Sequence, residues 1–314
     1  MKFHLKTLII TLAASAMLGA CAKETDESDE SVQQRIVEAY VEKYYPEATA
    51  SESGLYIVDS TPGTGRTPQD TSYVLVEYTI THLDGSYDSY TYDSVAMQLG
   101  TYSYTAYYHP RIWDLENNYD GIVEIMTGMR EGGRVKAVIP GSLLGESTAR
   151  IYDVRLLEVI DNAYAYQAEQ LEAFSEESFS GLDSTEYGFY FRKLNTTADS
   201  ITGGHKADLR YVGKFLDGRV FDTNVEDTAR KYRIYSKDND YDVITFQFFV
   251  DEDETVETND FVQGFSKALW RMKYGEHALT FFYSPLGYGD EGSDNIPGFV
   301  PLFFELWIEE NETE

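Results

Sequence analysis

The feature that most constrains the fold of this chain is an internal repeat. A strand-like run that ends at Tyr78 is followed by the turn residues Asp84-Gly85, and a similar run through Tyr211 is followed by Asp217-Gly218. Tyr78 and Tyr211 lie 133 positions apart, as do Asp84 and Asp217. Because the same features recur in the same order, the sequence predicts one fold that occurs twice.

A second pair of matching segments lies further along each copy. Gly128-Met-Arg-Glu-Gly132 matches Arg271-Met-Lys-Tyr-Gly275 at an offset of 143 positions, so the second copy carries an insertion of about ten residues. Short strand-like runs bounded by Asp-Gly turns predict an α+β fold, with an antiparallel sheet and one short helix in each copy. We expect these helices at 122–129 and 266–272, each just after a glycine.

Two further helices are predicted outside the sheets. Apolar residues recur at helical spacing over 31–45, where Pro46 ends the pattern, and 162–174 is rich in Ala, Gln and Glu. The Ser, Glu and Gly residues of 175–184 predict a linker, and the polar region 162–184 is typical of a hinge between domains. The predicted organisation is a leader (1–20), a tether with a short helix (21–45), a first domain (46–160), a helical linker (161–184) and a second domain (185–314).

The start of the chain is typical of an export signal. Lys2 and Lys6 precede an apolar run over 8–18, which is shorter than the roughly 20 residues that span a bilayer. The following Leu18-Gly-Ala-Cys21 resembles the lipobox of bacterial lipoproteins, which implies cleavage before Cys21 and a lipid on its sulfur. The alternative is an ordinary secreted protein in which this cysteine is accidental. Cys21 is the only cysteine, which excludes intrachain disulfides and a cysteine nucleophile.

The net charge of the chain limits its possible partners. Without residues 1–20, the chain has 23 Lys and Arg against 54 Asp and Glu, a formal charge of −31. A chain this acidic lacks the basic surface that nucleic acid requires, so no nucleic-acid partner is expected. Residues 22–30 are acidic without apolar periodicity and predict a disordered tether. This stretch resembles the acidic segment that marks surface export in lipoproteins of the Bacteroides group, so we expect a lipid-anchored protein of the cell envelope, at the outer membrane.

The second copy resembles the FKBP family of peptidyl-prolyl cis–trans isomerases. The resemblance is an ordered series over about 120 residues: Tyr211-Val-Gly-Lys-Phe-Leu-Asp-Gly-Arg-Val-Phe-Asp-Thr223, Phe261-Val-Gln-Gly-Phe265, Ser284-Pro-Leu-Gly-Tyr-Gly289 and Ile296-Pro-Gly-Phe-Val-Pro-Leu-Phe-Phe-Glu-Leu306. The first copy matches more weakly, from Gly54 to Val159. The resemblance implies two half-barrels of antiparallel strands, each wrapped around one short helix, in a tandem lipoprotein.

The family's active site is an aromatic pocket between sheet and helix. Carried over by position, the resemblance assigns it to Tyr211, Phe221, Asp222, Phe246, Val262, Phe265, Tyr288, Ile296 and Phe304. It implies that the Tyr288 hydroxyl donates to a substrate carbonyl and that Asp222 orients other pocket groups. Phe265 stands where the family usually has tryptophan, and Phe261 where it usually has a smaller apolar residue. No cofactor or metal is implied.

Each assigned residue also has a simpler explanation. Phe246, Phe265 and Phe304 could be plain core, and an isolated acid such as Asp222 is commonly a solvated loop residue. The loop around Tyr288 could be merely flexible. His205 and His277 have no ligand partner at metal spacing and are expected to be surface residues. The ordered series, rather than any single residue, favours the pocket.

The first copy departs from the family pattern. We expect Tyr87-Asp88 in place of Phe221-Asp222, and the chain passes from Pro140 to Ile151 without the loop that would supply a tyrosine and an Ile-Pro wall. Only the second copy is therefore predicted to be catalytic, with the first copy degenerate. The second copy contains an acidic insertion at 226–258, expected to be a solvated loop; the alternatives are a cover for the pocket or a partner site.

These features together predict a prolyl isomerase that assists the folding of exported, proline-containing polypeptides at the cell envelope. The alternative is a chaperone or protein-binding lipoprotein with FKBP-like domains and no useful turnover. A structural lipoprotein of a surface complex is a third hypothesis, which the acidic tether permits.

Overall fold

The computed structural model describes residues 29–179, 182, 184–198, 206–247, 261–293 and 295–310. The predicted leader, Cys21 and His205 lie outside these ranges. Within them, no helix combines the length and the apolar character needed to cross a membrane.

The first domain is an antiparallel sheet curved around a short helix. Its strands are β1 (Tyr56–Thr61), β2 (Tyr73–His82), β3 (Tyr87–Tyr90), β4 (Arg111–Asp114), β5 (Arg134–Ile139) and β6 (Arg150–Ile160). They lie in the order β1-β5-β6-β2-β3, with β4 beside β2. A helix at Asp120–Thr127 buries Ile122, Ile125 and Met126 in the core that this sheet encloses.

The second domain repeats this arrangement. Its strands are β7 (Ser184–Glu186), β8 (Phe189–Lys193), β9 (Lys206–Lys214), β10 (Val220–Thr223), β11 (Ile244–Gln247), β12 (His277–Phe282) and β13 (Leu302–Glu310). Their order is β10-β9-β13-β12-β8-β7, with β11 beside β9. A helix at Gln263–Trp270 buries Phe265 and Leu269 against the same face of the sheet. All pairings are antiparallel, so the predicted α+β class with two FKBP-like half-barrels is confirmed.

The two domains agree in hydrogen bonding as well as in strand order. The amide of Tyr78 donates to Thr91 Oγ1 at 2.9 Å, and the amide of Tyr211 donates to Asn224 Oδ1 at 2.8 Å. Thr91 and Asn224 are again 133 positions apart. Both hairpins also carry a bulge at the same point, with Asp88 as the extra residue in the first domain and Phe221 in the second. The repeat therefore extends to the register of the strands.

The central helices begin earlier than predicted. They start at Asp120 and Gln263, so Gly121 and Gly264 lie inside the first turn rather than before it. A Cβ atom built on Gly264 would lie 2.4 Å from Cγ of Phe282, and one on Gly121 would lie 2.6 Å from a methyl carbon of Ile139. Glycine is therefore required by the close approach of helix and sheet, not as a break before the helix.

We expect Gly264→Ala to destabilise the second domain by about 1–2 kcal/mol, although alanine favours a helix by about 1 kcal/mol. The added methyl group would overlap the buried Phe282 ring, which has no space to move into. Urea unfolding of the full chain measures this change. Gly128→Ala is the matched control, because its Cβ would meet only ordinary contacts of 3.4 Å or more; equal effects of the two substitutions would refute the packing explanation.

Additional short helices follow β3 and β10. One spans Asp93–Leu99 and the other Glu226–Lys231, and their first residues are also 133 positions apart. The second helix and β11 both fall in the segment expected to be a solvated acidic loop over 226–258. That prediction is wrong for its described part, because Phe246 on β11 is buried in the core. The many acidic residues of this segment conceal its few apolar residues when only the sequence is read.

A longer helix packs on the opposite face of each sheet. The first, α1 (Asp29–Tyr44), close to the predicted 31–45, buries Val37 and Val41 against the first domain. The second, here called the connecting helix (Ala163–Ser178), is capped by the Asn162 side chain, which accepts from the amides of Tyr164 and Ala165. It runs beyond the predicted end at 174 into the predicted linker.

The connecting helix is part of the second domain by its contacts. Leu171 is fully buried against Phe281 and Phe303, on the face of the sheet away from the Gln263–Trp270 helix. Gln167 is also buried, and it both donates to Ser284 Oγ and accepts from the Ser284 amide. A segment packed in this way is not a free hinge, contrary to the expectation from its polar composition.

Candidate active site

An aromatic cup lies between the sheet and the central helix of the second domain. Phe304 on β13 is at its centre, with ring centroids of Phe265, Phe221 and Tyr211 at 4.9, 5.7 and 6.5 Å. Phe221, Phe265 and Phe304 are each exposed by less than a tenth, so the rings hold one another in place. The helix supplies Phe265, and the strands supply the other three rings.

The remaining predicted residues surround this cup. Phe246 and Ile296 are buried in the same core cluster, while Val262 is half-buried at the N-cap of the helix. Phe261 joins the wall, with its ring centroid 4.8 Å from that of Phe265. The structure therefore gathers all of these predicted apolar residues on one face of the domain.

A polar edge borders the aromatic cup. The Tyr211 hydroxyl donates to Asp222 Oδ2 at 2.6 Å, and the exposed Asp222 carboxylate also accepts from the Thr223 amide. Burial raises the pKa of Tyr211 well above its usual value, and the carboxylate of Asp222 and the nearby Tyr288 raise it further. Burial and Asp222 likewise raise the pKa of Tyr288, whose side chain is 37% exposed. Both hydroxyl groups therefore remain protonated and able to donate.

The loop that carries Tyr288 is held by its own backbone. The amide of Gly289 donates to Ser284 O at 2.8 Å, and the carbonyl of Gly289 accepts from the Phe299 amide at 2.9 Å. The amide of Gly292 donates to Tyr288 O at 2.9 Å. The loop is thus closed on both sides of Tyr288, whose hydroxyl is near enough to Asp222 for that carboxylate to raise its pKa.

Sequence reasoning missed Phe215 as part of this site. Its ring is fully buried with its centroid 5.0 Å from that of Phe221, so it supports the wall from behind. The available signal was its position between the end of β9 and the Asp217-Gly218 turn, where an apolar residue can pack inward.

The first domain has lost the corresponding polar and aromatic groups. In the bulged hairpin, Ser89 lies opposite Ile80 as Asp222 lies opposite Gly213. The predicted match of Tyr87-Asp88 with Phe221-Asp222 is therefore wrong by one residue, because both hairpins keep the same register. Asp88 occupies the place of Phe221 and faces Arg150, and the Tyr78 hydroxyl lies 3.3 Å from that of Ser89, where Tyr211 has a carboxylate.

The connection that carries Tyr288 and Ile296 is shortened in the first domain. Residues 144–149 join the short helical turn at Gly141–Leu143 to β6, whereas 287–301 join the equivalent turn at Ser284–Leu286 to β13. Trp113 takes the register position of Phe246, and Tyr152 that of Phe304. The first domain therefore keeps two aromatic residues at cup positions, but it has no counterpart of the loop that carries Tyr288 or of the Phe221 ring.

Two other groups bear on the chemistry. Within the described ranges, no three or more His, Cys, Asp and Glu side chains are grouped so as to hold a metal ion. His277, expected to be a plain surface residue, instead stacks on Trp307 at 4.4 Å and pairs with Glu305 at 2.9 Å. These contacts place it on the strands β12 and β13 as part of the sheet's structure.

A cavity of about 450 Å³ lies elsewhere, between the two domains and the connecting helix. Tyr107, Phe174, Phe215 and Val300 contribute to its walls. Neither Tyr288 nor Phe304 lines it, so this cavity is separate from the aromatic cup.

Comparison with known proteins finds a family similar to the second domain. Residues 198–309 match the family model of FKBP-type peptidyl-prolyl cis–trans isomerases. The FKBP-type 22 kDa peptidyl-prolyl cis–trans isomerase of Escherichia coli (strain K12) is 27% identical over 193 residues, which cover 56% of this chain and 82% of that protein. The family of FKBP-type peptidyl-prolyl cis–trans isomerases therefore matches the second domain of this chain.

Solved structures show more distant likeness. FkpA from Escherichia coli aligns with a TM-score of 0.35 and 24% identity, covering 51% of this chain and 75% of that one. The three FKBP domains of wheat FKBP73 align with a TM-score of 0.30 and 14% identity, covering 82% and 95%. A peptidyl-prolyl cis–trans isomerase from Pseudomonas syringae aligns with a TM-score of 0.33 and 22% identity, covering 48% and 96%. Because these TM-scores are low, the description of the fold rests on the strand order and register of this chain.

Proposed function

We propose that the second domain catalyses cis–trans isomerisation of X–Pro bonds in exported polypeptides, while a lipid on Cys21 holds the protein at the outer membrane. The observation that carries the proposal is the buried cup of Phe221, Phe265 and Phe304, bordered by the Tyr211–Asp222 hydrogen bond and the exposed Tyr288.

The cup suits this reaction because isomerisation needs no bond to be made or broken. The barrier of about 18–20 kcal/mol arises from amide resonance, which the twisted transition state has lost together with its charge separation. An apolar cup desolvates the planar amide more unfavourably than the twisted one, so it binds the transition state preferentially. The aromatic rings also offer apolar surface for packing against the proline ring.

The polar edge would orient the substrate. The Tyr211 hydroxyl already donates to Asp222, whereas the Tyr288 side chain is 37% exposed and close enough to Asp222 to be affected by its charge. A carbonyl next to the proline could therefore accept from Tyr288, while Asp222 holds Tyr211 in the cup wall.

We expect Tyr288→Phe to lower kcat/KM for a proline peptide about fivefold, the worth of roughly one neutral hydrogen bond. The raised pKa values of Tyr211 and Tyr288 keep both hydroxyls protonated beyond the ordinary tyrosine value of about 10, so the wild-type kcat/KM should stay constant between about pH 7 and pH 10. Tyr119→Phe, at an exposed position of the first domain, is the matched control.

The same assay separates catalysis from simple binding. A chaperone without turnover would suppress aggregation of an unfolded protein that contains no proline and would leave the peptide rate unchanged. Loss of kcat/KM in Tyr119→Phe equal to that in Tyr288→Phe, or unchanged kcat/KM in Tyr288→Phe, would contradict the assigned role of Tyr288.

Membrane attachment is proposed to depend on Cys21 alone. Cys21→Ser should abolish incorporation of a labelled fatty acid and shift the protein out of the membrane fraction, or leave an uncleaved precursor there, because stable anchoring needs at least two acyl chains. Metabolic labelling of the expressing bacterium measures this. An unlabelled wild-type protein would end the lipoprotein assignment, and the isomerase proposal would be unaffected.

A further inference from the structure

The loop that carries Tyr288 and Ile296 packs against the first domain through the ring of Phe299. The Phe299 ring lies edge-to-face against Tyr73 on β2, with centroids 5.6 Å apart, and 6.0 Å from Tyr164 on the connecting helix. Phe299 is only 8% exposed. An aromatic residue of the active-site loop is therefore buried outside the aromatic cup, against residues of two other elements.

The backbone of Phe299 shows why these contacts matter. Its φ is +61°, in the left-handed region that costs a non-glycine residue about 1–2 kcal/mol. The burial of its ring offsets this cost. Its amide donates to the carbonyl of Gly289, the residue next to Tyr288. One residue thus joins the surface of the first domain to the backbone that places the Tyr288 hydroxyl.

A second aromatic contact supports the opposite wall. The Tyr107 ring of the first domain lies 5.0 Å from Phe215, which in turn lies 5.0 Å from Phe221. Polar contacts secure this junction: His109 Nε2 pairs with Asp217 at 2.8 Å, and Arg219 donates to Ala106 O at 3.1 Å. Burial around Tyr107 is deep enough to raise the pKa of its hydroxyl to about 12.

From these two contacts we propose that the first domain, which lacks its own Phe221 wall and tyrosine loop, serves as the scaffold for the pocket of the second. Tyr73 positions Tyr288 through Phe299, and Tyr107 positions Phe221 through Phe215. Tyr73 and Tyr107 are positioning residues: they lie in the other domain and reach the pocket through Phe299 and Phe215. The catalytic part of this inference rests on the proposed isomerase function.

The test uses residues 22–314 with Tyr73→Ala, Tyr107→Ala and both together. Each single substitution should lower kcat/KM for a proline peptide about fivefold, in line with the loss of one aromatic pair. Tyr73→Phe and Tyr107→Phe keep the aromatic rings and should retain the wild-type kcat/KM. Tyr87→Ala is the matched control, because Tyr87 is an exposed residue of the same first sheet that packs on Tyr90.

A measurement independent of turnover accompanies the assay. Hydrogen exchange of the Phe299 amide should become about tenfold faster in Tyr73→Ala and stay unchanged in Tyr87→Ala, since the scaffold protects its bond to Gly289. Unchanged exchange in Tyr73→Ala, or unchanged kcat/KM in the double variant of an active protein, would overturn the scaffold. A wild-type protein without activity would refute the proposed function instead, and the exchange result would still decide whether the first domain holds the loop.

Discussion

We expect Phe221→Ala to lower kcat/KM for an X–Pro peptide by about 100-fold, equivalent to roughly 3 kcal/mol of transition-state binding. Phe221 forms the wall between Phe304 and Phe215, and its ring is almost fully buried. Removing it opens the cup to water, so the planar amide keeps its hydration and the preference for the twisted amide is lost. An NMR exchange or protease-coupled peptide assay measures the change.

Controls separate this effect from unfolding. Phe221→Leu fills most of the same volume and should retain a folded domain with intermediate activity. Asp88→Ala changes the residue at the same register position of the first domain and should leave kcat/KM unchanged. A loss in Asp88→Ala as large as that in Phe221→Ala would show that the first domain takes a direct part in catalysis.

The largest effect on stability is expected at a buried ion pair. Lys193 Nζ lies 2.8 Å from Glu276 Oε2, and the Glu276 side chain is only 1% exposed. Lys193→Met should lower the free energy of unfolding by about 3 kcal/mol, because it leaves a buried carboxylate without its cation. Urea denaturation of the full chain, followed by the fluorescence of its tryptophans, measures this loss.

Restoring neutrality should recover most of that stability. Glu276 also accepts from the Lys273 amide at 2.8 Å, and a glutamine oxygen can accept the same hydrogen bond. Lys193→Met with Glu276→Gln should therefore unfold within about 1 kcal/mol of the wild type. A double variant as unstable as Lys193→Met alone would mean that packing of the lysine chain, not its charge, supports this corner of the sheet.

Much of the fold was predictable because its information is local or periodic. The turns at Asp84-Gly85 and Asp217-Gly218 follow strands, and the constant offset between Tyr78 and Tyr211 predicts a second sheet with the register of the first. The aromatic residues of the cup were predictable from their order along the chain. Their position on one concave face follows once the strand order is known.

Other features depend on contacts that the sequence does not display. The bulge in each hairpin displaces the pairing by one residue, which is why Ser89 rather than Asp88 corresponds to Asp222. The polar composition of the connecting helix conceals Leu171, whose burial binds the helix to the second sheet. The contacts of Phe299 and Tyr107 join residues far apart in the chain, and only the arrangement of the domains brings them together.

The most direct test of the account is the isomerisation rate of a tetrapeptide with one X–Pro bond in the presence of residues 22–314. Without a catalyst the reaction takes tens to hundreds of seconds. The account predicts a rate constant that rises linearly with protein concentration and returns nearly to the uncatalysed value when Phe221→Ala replaces the wild type. A folded wild-type protein that leaves the uncatalysed rate unchanged at every concentration would contradict it.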